Sequence, residues 1–421
     1  MTGTLDVYLH EHLIGHLLQD EHGQTLFEYA QNWLKHANAI PLSLSLPLRE
    51  GQFGERECRP FFAGLLPDEA KRRLIAHNLG ISANNDFAML GQIGGECAGA
   101  ITFINAGAQW PGNQGNGYRP LPPSALERIF GDLPRRPLMA GESGIRLSLA
   151  GAQDKIAVYK NDNDLFLPLE NAPSSHIIKP DIEQYNGIVF NEAFCMKLAA
   201  RMGLEVADVA TGKVGNVDYL MIERYDRIEK VVDGDLGLER IHQEDFCQAL
   251  AIVSERKYQV EGGPSIKQCF DLLREVSSVP VLDLSRLLDA VIFNFLIGNH
   301  DAHGKNFSLL YRMPGATLLP GKIRLAPLYD LICIPVYSNL SKKMAMKIGR
   351  VYEPEEVDPR QFEKLAEEIG FAKPLVKRKV IDQAKEMLGQ LDQVGVAHAI
   401  VDDIRRFVSN HCTNVLNRFS N

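Results

Sequence analysis

The sequence predicts an α+β chain with two lobes, a small extra α/β subdomain at the N-terminus and a helical C-terminal lobe. Three observations carry that expectation. Up to Asp226, short strand-like runs alternate with helical stretches. From His242 onward apolar residues recur at helical spacing. Between these regimes and the N-terminus, residues 106–123 (AGAQWPGNQGNGYRPLPP) are rich in Gly, Pro and Asn, which build no regular element and mark a linker or long surface loop. The domains follow as 1–108, 124–226 and 227–421.

In chain order, Leu5, Val7 and Leu9 share one face of a strand, and Asp20–Gly23 suggests a hairpin turn before a second strand at Thr25–Tyr29. Pro41–Leu48 (PLSLSLPL) has strict period two between prolines and reads as a short strand or extended segment. Phe61–His77 and Asp86–Leu90 look helical, and Ala98–Ile104 looks like a strand. After a short helix at Ser124–Gly131, the stretch Ile145–Leu147, a loop of small residues and a strand at Lys155–Tyr159 would let backbone N–H groups approach a phosphate. The loop is not a Walker A sequence.

Ser175–Pro180 is a strand with Lys179 near its end, and Ile188–Met202 a helix closed by Gly203. Val206–Val214 and Tyr219–Ile222 read as a hairpin running into Glu223–Asp226. Helices follow at Glu244–Val253, Ser265–Val276 and Leu284–Ile297, with a loop, Lys257–Pro264, after the first. Phe307–Tyr311 and Leu325 are short strands. The tail forms three amphipathic helices near 359–369, 375–393 and 397–419, the first announced by Asp358-Pro359.

Composition narrows the function. The chain has 421 residues, 45% of them hydrophobic, with 45 Lys+Arg against 53 Asp+Glu and a net charge of -8, so no global basic field draws it to nucleic acid. Its seven cysteines (Cys58, Cys97, Cys195, Cys247, Cys269, Cys333, Cys412) are scattered with no C-x-x-C pair, as in a reduced cytosolic protein. The start lacks a signal-peptide pattern and no run reaches transmembrane length, so a cytoplasmic protein without membrane contact is expected.

The chemistry gathers in Asn299–Asn306, N-H-D-A-H-G-K-N. A kinase catalytic loop needs an Asp to receive the substrate hydroxyl proton and an Asn five residues later to hold magnesium. Asp301 and Asn306 have that spacing, and Asp330 follows 24 residues later at a strand end, where a second magnesium-binding Asp belongs. Each residue alone has a plainer reading. Asp301 could cap a helix or pair with Lys305, Lys179 could face solvent, and Ser148 could be a turn serine. Glu192 could pair with Lys179 or simply lie on a solvated helix face. His300 and His303 have no third ligand at zinc spacing. Lys377-Arg378-Lys379 reads as one solvated helix face that could meet DNA phosphates.

Together the segments PLSLSLPL, FFAGLLPD, SLAGAQDK, HIIK, IERYDR, QEDFCQAL, KYQVEGGP, HDAHGKNFS and APLYD resemble the HipA family of bacterial toxin kinases, in order along almost the entire chain. The resemblance implies a protein-kinase-like fold with an extra N-terminal subdomain and serine/threonine kinase activity using ATP and Mg2+. It casts Asp301 as catalytic base and gives Asn306 and Asp330 to the metal. Nucleotide would be held by Ala150, Gly151, Ala152, Gln153, Asp154, Lys155, Lys179, Glu223, Arg224, Tyr225, His303, Gly304, Lys305, Asn306, Tyr329 and Asp330. Ser148 matches an autophosphorylation serine whose modification inactivates the enzyme. The implied partners are a helix-turn-helix antitoxin, operator DNA through that complex, and an aminoacyl-tRNA synthetase as substrate. A non-catalytic nucleotide-binding corepressor and a small-molecule kinase are the alternative readings.

Overall fold

The computed structural model describes residues 3–108, 110, 117–232, 235–312 and 322–420. The chain divides into two compact units, one of residues 1–180, 213–255 and 309–322, the other of residues 181–212, 256–308 and 323–421.

In the first unit, β1 (Gly3–Leu9), β2 (His12–Gln19), β3 (Thr25–Tyr29), β4 (Gln52–Phe53) and β5 (Ile101–Asn105) form an antiparallel sheet in the order β4-β3-β2-β1-β5. Leu5, Val7 and Leu9 are buried as period two requires. The helix Glu55–Gly64 covers this sheet with Phe62, whose ring lies 5.3 Å from Phe27 and 5.9 Å from Phe103. A second sheet contains β6 (Tyr118–Pro120), β7 (Ile156–Asn161), β8 (Asp164–Pro168), β9 (His176–Pro180), β10 (Val209–Val214) and β11 (Val217–Glu223). Within it β11, β9, β7, β8 and β6 are neighbours in that order.

Several expected elements in this unit take another form. Pro41–Leu48 is a tight turn bridging Ser43 to Leu46, because the Tyr29 hydroxyl donates to Leu46 O at 2.5 Å and receives Leu42 N at 2.8 Å. The helix expected over Phe61–His77 is two, Glu55–Gly64 and Glu69–Leu79, since Pro67 disfavours helical backbone in the residue before it. Ile145–Leu147 is no strand; Leu147 makes an isolated bridge to Glu96, and Arg146 donates to Phe103 O of β5 at 2.9 Å. Glu244–Val253 is a strand, His242–Asp245, followed by one helical turn, Phe246–Ala249, which ends as Ala251 turns to φ 57°. A hairpin, Arg227–Val232 with Asp235–Arg240, lies where only a helical lobe was expected. Of the linker, Gln109 and residues 111–116 lie outside the described residues, while Tyr118–Pro120 is a strand and Pro123–Asp132 a helix.

The second unit is built mainly of helices: Ile188–Arg201, Ile266–Val276, Pro280–Ile297, Pro359–Ile369, Lys373–Gln390 and Ala399–Ser420. Pro280–Ile297 starts four residues before the expected Leu284, with proline at its first position, where the missing N–H costs nothing. The three tail helices form close to their expected places, and Asp358 caps the first by accepting from Gln361 N. No helix among the described residues is long and apolar enough to cross a membrane.

Candidate functional site

Helix Pro280–Ile297 ends at Gly298, which takes φ 73° and returns its N–H to Asn294 and Phe295 carbonyls. A Cβ there would come within 2.7 Å of the Phe407 ring and 2.9 Å of Pro335, so glycine alone fits. Immediately beyond, the buried Asn299 amide donates to Asn294 Oδ1 at 2.8 Å and to Asp330 O at 3.3 Å. That pair ties the start of the loop to the far end of the Ala326–Asp330 segment. The same segment is held from its other side, where Leu328 N donates to Glu205 O and Ala207 N to Leu328 O.

Asp301 is half-buried, and its Oδ1 accepts from the Tyr258 hydroxyl at 2.7 Å. Gly304–Asn306 makes one 3-10 turn, in which Asn306 N donates to His303 O and His303 N to Asn306 Oδ1 at 3.1 Å. The Asn306 Nδ2 donates to Asp330 Oδ2 at 3.0 Å. Tyr329 donates its hydroxyl to Lys305 O at 2.6 Å and shares a hydrogen bond with Ser308 at 2.7 Å. Asp330 itself stands at φ 59°, a left-handed conformation that Asp tolerates better than most residues and that recurs at functional sites. Thus Asn306, Lys305, Tyr329 and Asp330 meet directly, and Asp301 and His303 join through Tyr258, whose ring meets that of His303 at 5.5 Å, edge to face. His300, next to Asp301, is lowered in pKa by burial.

Asn306 and Asp330 are the residues that would hold Mg2+ here. Among the described residues no three His, Cys, Asp or Glu side chains gather into a metal cluster. Magnesium is commonly held by one or two side chains, with waters and phosphate oxygens completing the shell. The Asp330 carboxylate and the Asn306 amide oxygen, which keeps a second lone pair beyond its bond from His303 N, supply that set.

Ser148 and the remaining residues expected to hold nucleotide lie in the first unit. Ser148 is fully buried, its hydroxyl donating to Leu65 O and its N–H to Glu96 O, both at 2.9 Å. Gly151 takes φ 108° and its carbonyl accepts from Asp68 N; a side chain there would collide with Lys155 Nζ at 2.6 Å. Lys155 closes the loop by donating to Ala150 O at 2.7 Å, and Asp154 pairs with Lys71 at 2.5 Å. Gln153 Nε2 is a buried donor with no partner among the described residues. Ile156 pairs with Ile178 across β7 and β9, so Lys155 and Lys179 stand at one end of the same strand pair.

Glu223 is exposed and Tyr225 half-buried, but the Arg224 side chain turns inward. Its guanidinium binds Glu96 at 3.0 Å, Asp226 at 2.8 Å and Cys97 O at 2.9 Å, and the Arg224 backbone N–H donates to Ser175 O at 2.9 Å. In the second unit, Lys377, Arg378 and Lys379 do not form one face, because successive helical residues point about 100° apart. Lys379 is turned to Asp289 at 2.7 Å, while Arg378 is exposed.

Residues 147–395 match the family model of the HipA-like C-terminal domain, and residues 5–104 that of the HipA N-terminal domain. The chain belongs to the HipA family. Its similarity runs to 45% identity with the kinase-named protein Y4mE of Sinorhizobium fredii, over 92% of this chain and 91% of that one. With the serine/threonine-protein kinase toxin HipA of Shewanella oneidensis it shares 29% identity over 99% of this chain and 95% of the relative. A solved Shewanella oneidensis complex of HipA, HipB and operator DNA contains a chain superposing with TM-score 0.82 at 27% identity, covering 99% of this chain and 96% of that one.

Within the first unit, the two HipA domains are stitched by buried charge. Glu96 of the N-terminal domain receives Arg224, Arg227 and Arg240 of the C-terminal domain, with the Arg227 bond at 2.8 Å. Burial pushes the Glu96 carboxyl up, but the three guanidiniums outweigh it and hold its pKa at about 2. Sequence reading missed this network, and it missed Tyr258, Asn299 and Ser308 at the catalytic-type loop. Tyr258 sits in the KYQVEGGP loop, where the Gly-Gly-Pro turn was visible but a lone tyrosine carries no spacing signal.

Proposed function

We propose that this HipA-family chain is an ATP-dependent serine/threonine protein kinase. The observation that carries the reading is the Asn306–Asp330 contact at 3.0 Å, with Asp301 five residues before Asn306 in the same loop. In the proposed reaction the substrate hydroxyl oxygen attacks the γ-phosphorus of ATP and gives its proton to the Asp301 carboxylate. The bond between that phosphorus and the β,γ-bridging oxygen breaks, and ADP leaves with the electron pair. Mg2+, held by Asn306 and Asp330, would neutralise charge on the phosphate oxygens.

Lys155 and Lys179 serve the phosphates together with the backbone of Ala150–Asp154, and Gln153 adds an unsatisfied donor. Glu223–Tyr225 offers backbone to adenine, and His303–Asn306 with Tyr329 complete the nucleotide contacts. Phosphorylation of Ser148 would switch the enzyme off. The family resemblance supports an aminoacyl-tRNA synthetase as the phosphorylated protein. The Shewanella complex supports a HipB-type antitoxin partner and operator DNA, to which Lys377 and Arg378 could contribute charge, and the family resemblance makes that antitoxin a helix-turn-helix protein.

Intact-mass analysis of wild type and Asp301→Asn, each incubated with ATP and Mg2+, tests the reading. A phosphate mass gain in wild type, mapped to Ser148 and absent from Asp301→Asn, is expected. Equal gains in both would remove Asp301 as the base. No gain in either, from protein unmodified at the start, would sink the kinase reading.

A further inference from the structure

We infer that Tyr258 is a positioning residue for the catalytic carboxylate, holding Asp301 through its hydroxyl so that the carboxylate keeps one orientation. The inference rests on the assignment of Asp301 as base. Tyr258 Oη donates to Asp301 Oδ1 at 2.7 Å, although 43 residues separate the two.

The contact is enforced by backbone on both sides. Ala345 accepts Gln259 N at 3.0 Å and donates its own N–H to His300 O at 2.7 Å. One residue therefore clasps the immediate neighbours of both Tyr258 and Asp301. Gln259 adds a second tie, its Oε1 accepting Lys347 N at 2.8 Å. The loop carrying Tyr258 is also closed on itself, because the Tyr258 carbonyl accepts from both Glu261 N and Gly263 N, at 2.9 and 2.8 Å. A Cβ on Gly263 would lie 2.6 Å from the Lys257 backbone, so the turn closes only with glycine there.

The Tyr258 ring is fixed in its turn by His303, edge to face at 5.5 Å, and Lys257 Nζ lies 5.5 Å from its centroid. A phenol so restrained loses little further freedom when it donates. A carboxylate held by one oxygen has lost the rotation that would otherwise present it in unproductive orientations. The Tyr258 hydroxyl acts on the Asp301 carboxylate, so its removal should act on the base and spare nucleotide binding.

The test compares wild type, Tyr258→Phe, Asp301→Asn and the double variant, using ATP, Mg2+ and phosphate transfer to Ser148 or an added protein substrate. Tyr258→Phe should lower kcat roughly tenfold to a hundredfold, with KM for ATP and thermal midpoint unchanged, and should cause no further loss in the Asp301→Asn background. A Tyr258→Phe kcat equal to wild type, or the same loss with Asp301 already removed, overturns the inference while leaving the kinase reading standing. An Asp301→Asn variant as active as wild type would instead overturn the reading on which it rests.

Discussion

The Asn306 amide nitrogen reaches the Asp330 carboxylate at 3.0 Å across 24 residues of chain, and each partner is fixed by something other than that bond. Asn306 closes a 3-10 turn onto His303. Asp330 is placed by its left-handed backbone and by Asn299, which grips its carbonyl. The pair is therefore largely organised before any ligand arrives, which suits groups that must meet a metal without reorganising.

Replacing Asp330 with Asn keeps the hydrogen-bonding shape and removes the charge. Phosphate transfer should fall on the order of a hundredfold, and the Mg2+ concentration for half-maximal rate should rise. An Mg2+ titration of initial rate reads both. Unchanged Mg2+ dependence would take Asp330 out of the metal's shell.

Removing the Glu96 carboxylate should unfold the join between the two HipA domains. Glu96→Gln leaves the guanidiniums of Arg224, Arg227 and Arg240 short of a buried counter-charge, at a cost of about 3–5 kcal/mol. The native carboxyl titrates at about 2 against an ordinary 4.5, so its contribution is complete above pH 4.5 and is lost as pH falls through 2. Urea unfolding between pH 6 and 3 should show wild type losing stability faster than Glu96→Gln on acidification.

These features differ in how far the sequence announces them. The loop around Asp301 was legible because its groups lie within a few residues and their spacing follows from what a phosphate and a metal require. The tail helices were legible because 3.6-residue periodicity is a local property. The Glu96 network was not, since its partners are 128 to 144 residues away and no pattern tells which arginine turns inward. Likewise Glu244 and Asp245 read as the start of a helix because the partners that bury Glu244 are remote: Ser43 stands 201 residues away and Tyr311 is 67 away. Tyr258 is brought to Asp301 by backbone ties such as the clasp at Ala345, which no spacing reveals.

Glu244 should make stability depend on pH in the opposite sense. Burial pushes its carboxyl up to about 7, although bonds from Ser43, Tyr311 and Leu44 N pull it partly back. The folded chain then keeps a proton that the unfolded chain releases above 4.5, so this group's share of stability is greatest below pH 4.5 and falls as pH rises to 7, by about 3 kcal/mol. Burial lowers His10, His176, His242 and His411 to about 4, and these push stability the other way over an overlapping range. The difference between wild type and Glu244→Gln is therefore the readout. The variant, which resembles the protonated acid, should gain stability relative to wild type between pH 5 and 8; a constant difference would place the Glu244 titration elsewhere.

Ser148 should act as the latch of the proposed phosphate loop. Its hydroxyl is sealed from solvent and spends its proton on the Leu65 carbonyl, so it cannot accept a phosphate where it stands, and the segment must first move out. Once phosphorylated it carries close to two negative charges, and returning them to a dry site facing a carbonyl oxygen would bury anionic charge without a donor. The outward state would then persist, breaking the bonds that hold the loop inward: Asp68 N to Gly151 O and Lys71 to Asp154. Ser148→Asp mimics part of that charge. It should lower ATP affinity at least tenfold and speed trypsin cleavage at Arg146 and Lys155, whereas Ser148→Ala, which loses one hydrogen bond worth about 1 kcal/mol, should keep ATP affinity within about threefold. Titration calorimetry and timed proteolysis measure both, and an Asp variant that binds ATP like wild type would show that charge at this position does not expel the loop.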